Sequence, residues 1–207
     1  MRLYDSIIPS GNAYKVHLLM SQLGLRYHVT DLDILSTPSQ TRTPAFLAKN
    51  PNGRIPVLEL DDGRFLPESN AIMFYLAEGT PLLPTDRFER AQVLQWMFFE
   101  QYSHEPYVAV LKFWTYWGGL DKLAPVLRER CIQRGQEALD VMEAHLNREA
   151  FFVGQRYSIA DIALFAYTQS ADAIGLRTGV AVRGWMDRVR SQPHYVPIKK
   201  DPLCKAP

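Results

Sequence analysis

The stretch of residues 51–75, PNGRIPVLELDDGRFLPESNAIMFY, constrains the fold more than any other part of the sequence. It opens with the turn signal Pro-Asn-Gly and runs directly into Ile55-Pro56, where a chain reversal is expected. Because proline cannot donate a hydrogen bond to a ladder, Pro56 marks the first position of a strand or a bend. A cis bond there would turn the backbone of Ile55 outward, although the sequence alone does not establish the isomer. The alternating run 57–60 and the turn signal at 61–64 then predict a tight antiparallel hairpin.

A helix is expected after the hairpin, from Ser69 to about Gly79, with Ser69 as its N-cap. A helix N-terminus presents unpaired N–H groups and partial positive charge, which favour a carboxylate, and the Ser69 hydroxyl adds a donor. Glu68 has the opposite charge and suits an ammonium group. The pair therefore fits the α-carboxylate and α-amine of an amino acid. An ordinary capped helix beside a solvated glutamate is the alternative.

Two segments around this hairpin resemble a known family. Residues 50–58 (NPNGRIPVL) and 68–72 (ESNAI) are similar to the two-part signature of the cytosolic glutathione transferases. In that family, the residue before a cis-proline hydrogen-bonds the cysteinyl backbone of glutathione, and the Glu-Ser pair holds its γ-glutamyl end. The resemblance therefore implies that four residues bind glutathione, namely Ile55, Pro56, Glu68 and Ser69.

The N-terminal residues predict a strand, a helix and a second strand. The first strand lies within residues 3–8, and the helix has apolar residues at i, i+3, i+4 and i+7 starting from Val16. The second strand covers about 27–31 and must run parallel to the first, because a whole helix intervenes. With an irregular loop over 36–44 and a short helix over 44–49, the element order is β-α-β-α-β-β-α. This order is that of a thioredoxin-like mixed sheet with helices on both faces.

Two prolines within the sequence Thr-Pro-Leu-Leu-Pro indicate a linker, since they end a helix and hold the chain extended. We therefore expect a thioredoxin-like glutathione-binding domain over residues 1–79, a linker over 80–85 and an all-helical domain over 86–207. The fold class is α/β followed by all-α. The resemblance implies the same division, with the helical domain lining the site of an electrophilic substrate.

Local helix signals support an all-helical second domain. Asp86 begins one helix as a cap, and Pro106 is expected to kink or break it. A long amphipathic pattern runs over about 120–146. Ser158 and Asp161 form a capping box that begins a buried helix, a motif that concerns folding and not chemistry.

The candidate chemistry lies in the turn between the first strand and the first helix. A free thiol has a pKa of about 8.5, which a helix N-terminus lowers, and a hydroxyl that donates to the sulfur favours the thiolate further. Ser10 is the leading donor and Asn12 can assist through its amide, although both can equally be cap residues. The resemblance implies the first role, since Ser10 matches the catalytic serine or threonine of serine-type and bacterial glutathione transferases. Tyr4, near the tyrosine of other classes, lies too early in the strand and is expected in the core.

Further glutathione contacts are expected from the loop before the hairpin. The glycyl carboxylate needs a cation or an amide, and Arg42, Gln40 and Lys49 are available, although Arg42 also suits a solvated surface position. Arg54 flanks the binding backbone. The family also implies a homodimer, in which a polar residue of the partner subunit reaches the γ-glutamyl end. Glu100 and Gln101 are the candidates for that contact.

Aromatic residues are concentrated between Trp96 and Trp117, with nine in 22 residues. Most are expected in the core or an interface, as aromatic residues at helical spacing usually are. Not all nine can face one core. The surplus around Tyr107, Phe113 and Trp117 therefore suits an apolar pocket for an electrophile.

Composition narrows the partners and the compartment. The 23 basic and 22 acidic residues give a net charge of +1, so no nucleic acid or membrane surface is expected as a partner. Cys131 and Cys204 fit neither a disulfide framework nor a metal spacing, and the five histidines form no metal motif, so we expect no metal. No run of 18 apolar residues occurs, and a cytoplasmic protein is expected.

The sequence as a whole predicts a glutathione transferase. In this hypothesis the thiolate of bound glutathione attacks an electrophilic, apolar co-substrate, and the protein activates a bound nucleophile electrostatically. One alternative is a glutathione-dependent disulfide or peroxide reductase that uses the same site. A second is a binding or regulatory protein that keeps the fold and has lost turnover.

Overall fold

The computed structural model describes residues 1–198, which fall into two compact units. The first unit contains residues 1–78 together with residues 193–198, and the second contains residues 79–192. We had expected residues 193–198 to lie in the helical domain over 86–207. They belong with the first unit because hydroxyl groups of its first helix bind their backbone. The Ser21 hydroxyl donates to the His194 carbonyl at 2.9 Å, and the Tyr14 hydroxyl donates to the Val196 carbonyl at 2.8 Å.

The first unit contains one mixed four-stranded sheet in the order β2-β1-β3-β4. β1 runs parallel to β2 and antiparallel to β3, and β3 and β4 form the antiparallel hairpin. The predicted βαβ unit, the hairpin and the following helix are therefore confirmed. The elements in chain order are β1 (Arg2–Ser6), α1 (Gly11–Gln22), β2 (His28–Leu32), a 3-10 turn (Gln40–Arg42), α2 (Pro44–Leu47), β3 (Val57–Glu59), β4 (Phe65–Pro67) and α3 (Ser69–Ala77).

Helices cover both faces of this sheet, as the alternation along β1 shows. Leu3 is fully buried with Val16 of α1 and Ile72 of α3. The next side chain along a strand points to the opposite face. There Tyr4 contacts Phe46 of α2, with ring centroids 6.1 Å apart. Tyr4 is half-buried, and its hydroxyl donates to Glu59 at 2.8 Å.

The described part of the second unit is helical, as predicted. Its elements are α4 (Arg87–Phe99), a first π-helical segment (Glu100–His104), α5 (Glu105–Phe113), a second π-helical segment (Trp114–Gly118), a 3-10 turn (Leu120–Lys122), α6 (Pro125–Leu146), α7 (Ile159–Thr168), a 3-10 turn (Asp172–Ile174) and α8 (Val180–Arg190). The long amphipathic helix begins at Pro125, later than the pattern from Leu120 suggested. Proline is favoured in the first helical turn, where its missing N–H would have no partner.

Two predicted helix starts have the expected geometry. The Asp86 carboxylate accepts from the backbone N–H groups of Phe88 and Glu89 at the start of α4. At the start of α7, the side chains of Ser158 and Asp161 form the capping box, and both residues are buried. Pro106 lies in the first turn of α5, directly after the first π-helical segment, where the regular hydrogen-bond pattern of α4 is interrupted.

Membrane-spanning helices and clusters of metal-ligating side chains are both absent from the part of the chain that the structure describes. Within residues 1–198, no helix is long and apolar enough to cross a membrane. No group of three or more metal-ligating side chains occurs in that same part of the chain. Cys131 is a buried free thiol on α6, and Cys204 lies outside the described residues.

Candidate functional site

Ser10 caps the N-terminus of α1. Its backbone is extended, with φ −97° and ψ 123°, and its Oγ accepts from the Ala13 N–H at 3.2 Å. The side chain is half-buried. Because the hydroxyl acts as an acceptor in this cap, its own proton remains available to a ligand. The two interpretations of Ser10 from the sequence, a cap and a donor, are therefore compatible.

A shared hydrogen-bond acceptor joins the N-termini of α1 and α3. Asn12 Oδ1 accepts from Lys15 Nζ at 2.8 Å and from the Ser69 hydroxyl at 3.3 Å. The two polar helix ends that the sequence analysis treated separately thus meet at one side chain. Because the N-terminus of a helix attracts anions, a junction of two such N-termini suits a carboxylate or a thiolate.

Ser69 is not the N-cap of α3, and this prediction was wrong. Glu68 occupies the cap position without a side-chain cap hydrogen bond, and Ser69 is the first helical residue. Glu68 has φ 70° and ψ 112°, a conformation that costs a non-glycine residue about 1–3 kcal/mol and that is concentrated at ligand sites. The tertiary contact with Asn12 uses the hydroxyl that a local cap would have used. Glu68 itself is exposed, so its carboxylate is accessible to a ligand ammonium group.

The Ile55-Pro56 bond is cis, and it lies directly before β3. Ile55 is half-buried and Pro56 is buried. The turn before this bond is held by Asn50, which the sequence analysis did not assign a role. Its side-chain Nδ2 donates to the Arg54 carbonyl at 2.8 Å, and its Oδ1 accepts from the Asn52 N–H at 3.0 Å. Asn50 is 3% exposed, so its amide is a structural support for the segment that carries Ile55.

Arg42 packs against the same turn. Its guanidinium donates to the Asn52 carbonyl at 3.1 Å. It also occupies the space that a side chain at Gly53 would need, since a Cβ there would come within 2.6 Å of an Arg42 nitrogen. Gly53 has φ 62°, a conformation that also favours glycine. Arg42 is exposed, as is Arg54. The structure therefore places both arginines at the turn that precedes the cis-proline.

The other loop candidates for the glycyl carboxylate have partners of their own. The Lys49 ammonium lies 4.4 Å from the centroid of the Phe65 ring, a cation–π distance. The Gln40 side-chain oxygen accepts from the Asp33 N–H at 2.7 Å. Arg42 has more N–H groups available to a ligand than either of these side chains. A guanidinium carries five N–H groups, and Arg42 donates through one of its nitrogens to the Asn52 carbonyl.

The aromatic candidates lie in the second unit. Phe113, at the end of α5, and Trp117, in the second π-helical segment, have ring centroids 6.4 Å apart, and both are half-buried. Tyr107 lies six positions before Phe113 on α5 and is also half-buried. Glu100 is fully buried and accepts from the Gln101 side chain at 2.9 Å, so it does not present its carboxylate at the surface of this chain.

Tyr4 is not positioned as a thiol donor. It lies on the sheet face opposite to the one that packs against α1, with its hydroxyl bonded to Glu59. Burial raises the pKa of Tyr4, and the hydrogen bond to Glu59 raises it further. A tyrosine in this environment is a weaker acid than usual, which disfavours a role in thiol ionisation.

A cavity of about 480 Å³ lies beside α1 and β2, with Ser10 and residues 196–198 among its lining. His17 lines it and connects two other lining residues. Its Nε2 lies 3.0 Å from Asp5 Oδ2, and its Nδ1 lies 2.7 Å from the Tyr27 hydroxyl. Burial raises the pKa of Tyr27, and the Asp5 carboxylate raises it further. The lining includes no lysine or arginine, so this cavity does not suit a tripeptide with two carboxylates.

Comparisons with known proteins match both parts of the chain. The family model of the glutathione S-transferase N-terminal domain matches residues 9–78, and that of the C-terminal domain matches residues 125–188. The chain is 32% identical to the disulfide-bond oxidoreductase YfcG of Escherichia coli (strain K12) over 194 residues, 89% of this chain and 88% of that protein.

Two solved structures are similar over nearly the whole chain. A glutathione S-transferase from Pseudomonas fluorescens Pf-5 is 50% identical, with a TM-score of 0.89, over 96% of this chain and 98% of that one. The glutathione transferase URE2P6 from Phanerochaete chrysosporium, in complex with oxidized glutathione, is 25% identical, with a TM-score of 0.80. That alignment covers 93% of this chain and 91% of the other.

Proposed function

Because the chain belongs to the glutathione S-transferase family, we propose that it is a glutathione transferase of the bacterial serine or asparagine type. It binds reduced glutathione in the first unit and holds the sulfur as a thiolate beside Ser10. The thiolate then attacks a small, apolar electrophile. The protein supplies orientation and electrostatic stabilisation and forms no covalent bond to the substrate.

The observation that carries this proposal is the junction of Asn12 with Ser69 beside Ser10. It brings two helix N-termini together, one suited to the thiolate and the other to the γ-glutamyl carboxylate. A free carboxylate would compete with Asn12 for the Ser69 proton. Glu68, exposed and next in the chain, is proposed to pair with the α-ammonium group.

The remaining glutathione contacts follow from the turn before β3. The backbone of Ile55, ahead of Pro56, is proposed to pair with the cysteinyl backbone, and Arg42 and Arg54 are proposed to attract the glycyl carboxylate. Support for this comes from the exposure of both guanidinium groups at that turn. Within the second unit, we propose Tyr107, Phe113 and Trp117 as an apolar surface for the electrophile, supported by the proximity of Phe113 and Trp117.

Kinetics of a Ser10→Ala variant test the transferase. One charge-assisted hydrogen bond contributes about 1.5–3 kcal/mol, so conjugation of an activated aryl chloride should fall by about 10- to 100-fold at neutral pH. Ser21→Ala is the matched control, because this serine lies in the last turn of the same helix and donates to the His194 carbonyl. We expect it to keep wild-type activity. Equal rates for Ser10→Ala and wild type would remove Ser10 from the reaction.

A glutathione-dependent disulfide reductase is a second candidate, favoured by the similarity to the oxidoreductase YfcG and to a structure with oxidized glutathione. The glutathione thiolate would attack a disulfide, release one thiol and form a mixed disulfide. A second glutathione thiolate would then release the other thiol and leave oxidized glutathione. Among the described residues, the first unit contains no cysteine, so both attacking sulfurs would come from glutathione.

Parallel assays separate these candidates and the non-catalytic alternative. The purified protein is supplied with glutathione and either the aryl chloride or bis(2-hydroxyethyl) disulfide. Conjugate formation without disulfide reduction supports the transferase, and the reverse supports the reductase. Saturable glutathione binding with neither product would indicate a binding or regulatory protein.

We also propose a homodimer and a cytoplasmic location. The homodimer is supported by two large apolar side chains on one continuous helical stretch. Phe98 is 69% exposed at the end of α4, and Tyr102 is 84% exposed in the first π-helical segment. Exposed aromatic pairs of this kind are typical of interfaces.

A further inference from the structure

Lys15 is a fully buried cation close to the proposed thiolate site. Its residue is 0% exposed, although lysine is among the residue types that are almost never fully buried unless paired. Its Nζ donates to Asn12 Oδ1 at 2.8 Å. Long helical side chains point toward the helix N-terminus, which explains how a residue three positions later reaches Asn12. The charge therefore lies beneath the tip of α1.

This contact determines the orientation of the Asn12 amide. Oδ1 faces both the Lys15 ammonium and the Ser69 hydroxyl. A flipped amide would turn its NH₂ group against an ammonium that has only donors. The Nδ2 donors of Asn12 are therefore held on the side away from Lys15.

The two donors to Asn12 differ in what happens when glutathione binds. The Ser69 hydroxyl has one proton, and a γ-glutamyl carboxylate is a stronger acceptor for it than a neutral amide. When Ser69 turns to that carboxylate, the Lys15 ammonium continues to donate to the amide oxygen. Its ammonium cannot turn to solvent, because the residue is fully buried.

We propose that Lys15 is a positioning residue for thiolate formation. By holding the Asn12 oxygen, it keeps the amide NH₂ turned toward the bound sulfur beside Ser10, and this donor favours the ionised thiol. The proposal rests on the proposed glutathione site. The sequence does not reveal this role, because a lysine between apolar helical positions is usually a solvated charge.

A Lys15→Met variant tests the proposal, since methionine keeps most of the buried volume and removes the donor. The ionisation of bound glutathione is followed by the ultraviolet absorbance of the thiolate as a function of pH. We expect the midpoint to rise by about one pH unit, a tenfold loss of ionisation, for one lost charge-assisted contact. Binding of S-methylglutathione, which has no thiol, should stay within about twofold of wild type.

The control is Lys112→Met, which removes a lysine of the second unit that is 2% exposed. It should leave the midpoint unchanged. If Lys15→Met keeps the wild-type midpoint, Lys15 has no role in thiolate formation and the proposal is overturned. If the variant also loses binding of S-methylglutathione, the role of Lys15 is structural and the proposal is overturned as well. Failure of the wild-type protein to bind glutathione would instead refute the proposed function, so the two failures are distinct.

A double-mutant cycle tests whether Lys15 acts through Asn12. If it does, Lys15→Met should shift the midpoint by less than half as much in an Asn12→Ala background as in the wild type. An equal shift in both backgrounds would show that the Lys15 charge acts directly, and would overturn the positioning role. If Lys15→Met does not fold, Lys15→Leu, which also has no side-chain donor, replaces it with the same criteria.

Discussion

Substitution of Asp161 by asparagine should destabilise the helical unit. The Asp161 carboxylate is fully buried and accepts four hydrogen bonds. Oδ1 accepts from the Phe152 N–H at 3.1 Å and from the Trp185 indole N–H at 2.9 Å. Oδ2 accepts from the Ser158 N–H at 2.9 Å and from the Ser158 hydroxyl at 3.2 Å. All four partners are donors, and they converge on a carboxylate that has only acceptors when it is ionised.

An asparagine at this position must turn its NH₂ group toward one pair of donors. If the NH₂ group takes the position of Oδ1, the N–H groups of Phe152 and Trp185 lose their acceptor. If it takes the position of Oδ2, the Ser158 hydroxyl can rotate to accept from it, so only the Ser158 N–H is left without a partner. An unsatisfied buried donor costs about 1–3 kcal/mol, so Asp161→Asn should lower the free energy of unfolding by at least that amount.

The size of this effect should depend on pH. Burial raises the pKa of Asp161 from 3.8 to about 6, against the lowering effect of its hydrogen bonds. Because the pKa of Asp161 is higher in the folded state than in the unfolded state, the folded protein binds the proton more tightly. Proton binding therefore contributes to the free energy of unfolding at low pH, and this contribution is lost as the pH rises through about 6. Between pH 5 and pH 7.5 the wild type should lose roughly 1–2 kcal/mol that the asparagine variant does not lose. The difference between the two proteins should therefore be larger at pH 5.

Urea unfolding followed by tryptophan fluorescence, at both pH values and one protein concentration, measures this difference. Asp86→Asn is the matched control, because Asp86 is an exposed cap whose Oδ1 alone accepts the two N–H bonds, and asparagine keeps that oxygen. It should change stability by less than about 0.5 kcal/mol. Equal stabilities of Asp161→Asn and wild type, or a difference that does not vary with pH, would refute the reasoning.

Three further predictions concern other parts of the chain. A Cβ on Gly179 would lie 2.0 Å from the carboxyl carbon of Glu143, whose oxygens accept from the N–H groups of Ala181 and Val182 in the first turn of α8. Gly179→Ala should therefore lower the free energy of unfolding, measured by thermal unfolding, by about 1–2 kcal/mol. Tyr4→Phe should leave the ionisation of bound glutathione unchanged by ultraviolet absorbance, and a shift would restore Tyr4 as a thiol donor. Substitution of both Phe98 and Tyr102 by lysine should yield a monomer in light scattering, while a persistent dimer would locate the interface elsewhere.

The elements that the sequence predicted correctly are those with local signals. The hairpin of the first unit follows from alternation and a turn with Gly63, which has φ 83°. The start of α4 at Asp86 and that of α7 at Ser158 follow from capping chemistry confined to four residues. Such signals depend on neighbours in sequence, so one chain is enough to identify them.

The features that the sequence did not reveal depend on contacts between distant residues. Serine is a residue type typical of an N-cap. The Ser69 hydroxyl nevertheless donates to Asn12, 57 positions away, and Glu68 takes the cap position instead. Lys15 is fully buried and its ammonium donates a hydrogen bond to Asn12, and nothing in the spacing of charges along the sequence shows this. Residues 193–198 join the first unit through hydroxyl groups of α1, a pairing that has no pattern in the sequence.

Proton release on glutathione binding tests the central claim most directly. A free thiol with a pKa of about 8.5 is mostly protonated at pH 7, so its conversion to a bound thiolate releases close to one proton. Calorimetric titration of the protein with reduced glutathione, in buffers of different ionisation enthalpy, measures binding and proton release together. The account predicts saturable binding with about one proton released per site, and no release with S-methylglutathione. Absence of saturation, or saturable binding of glutathione without proton release, would contradict it.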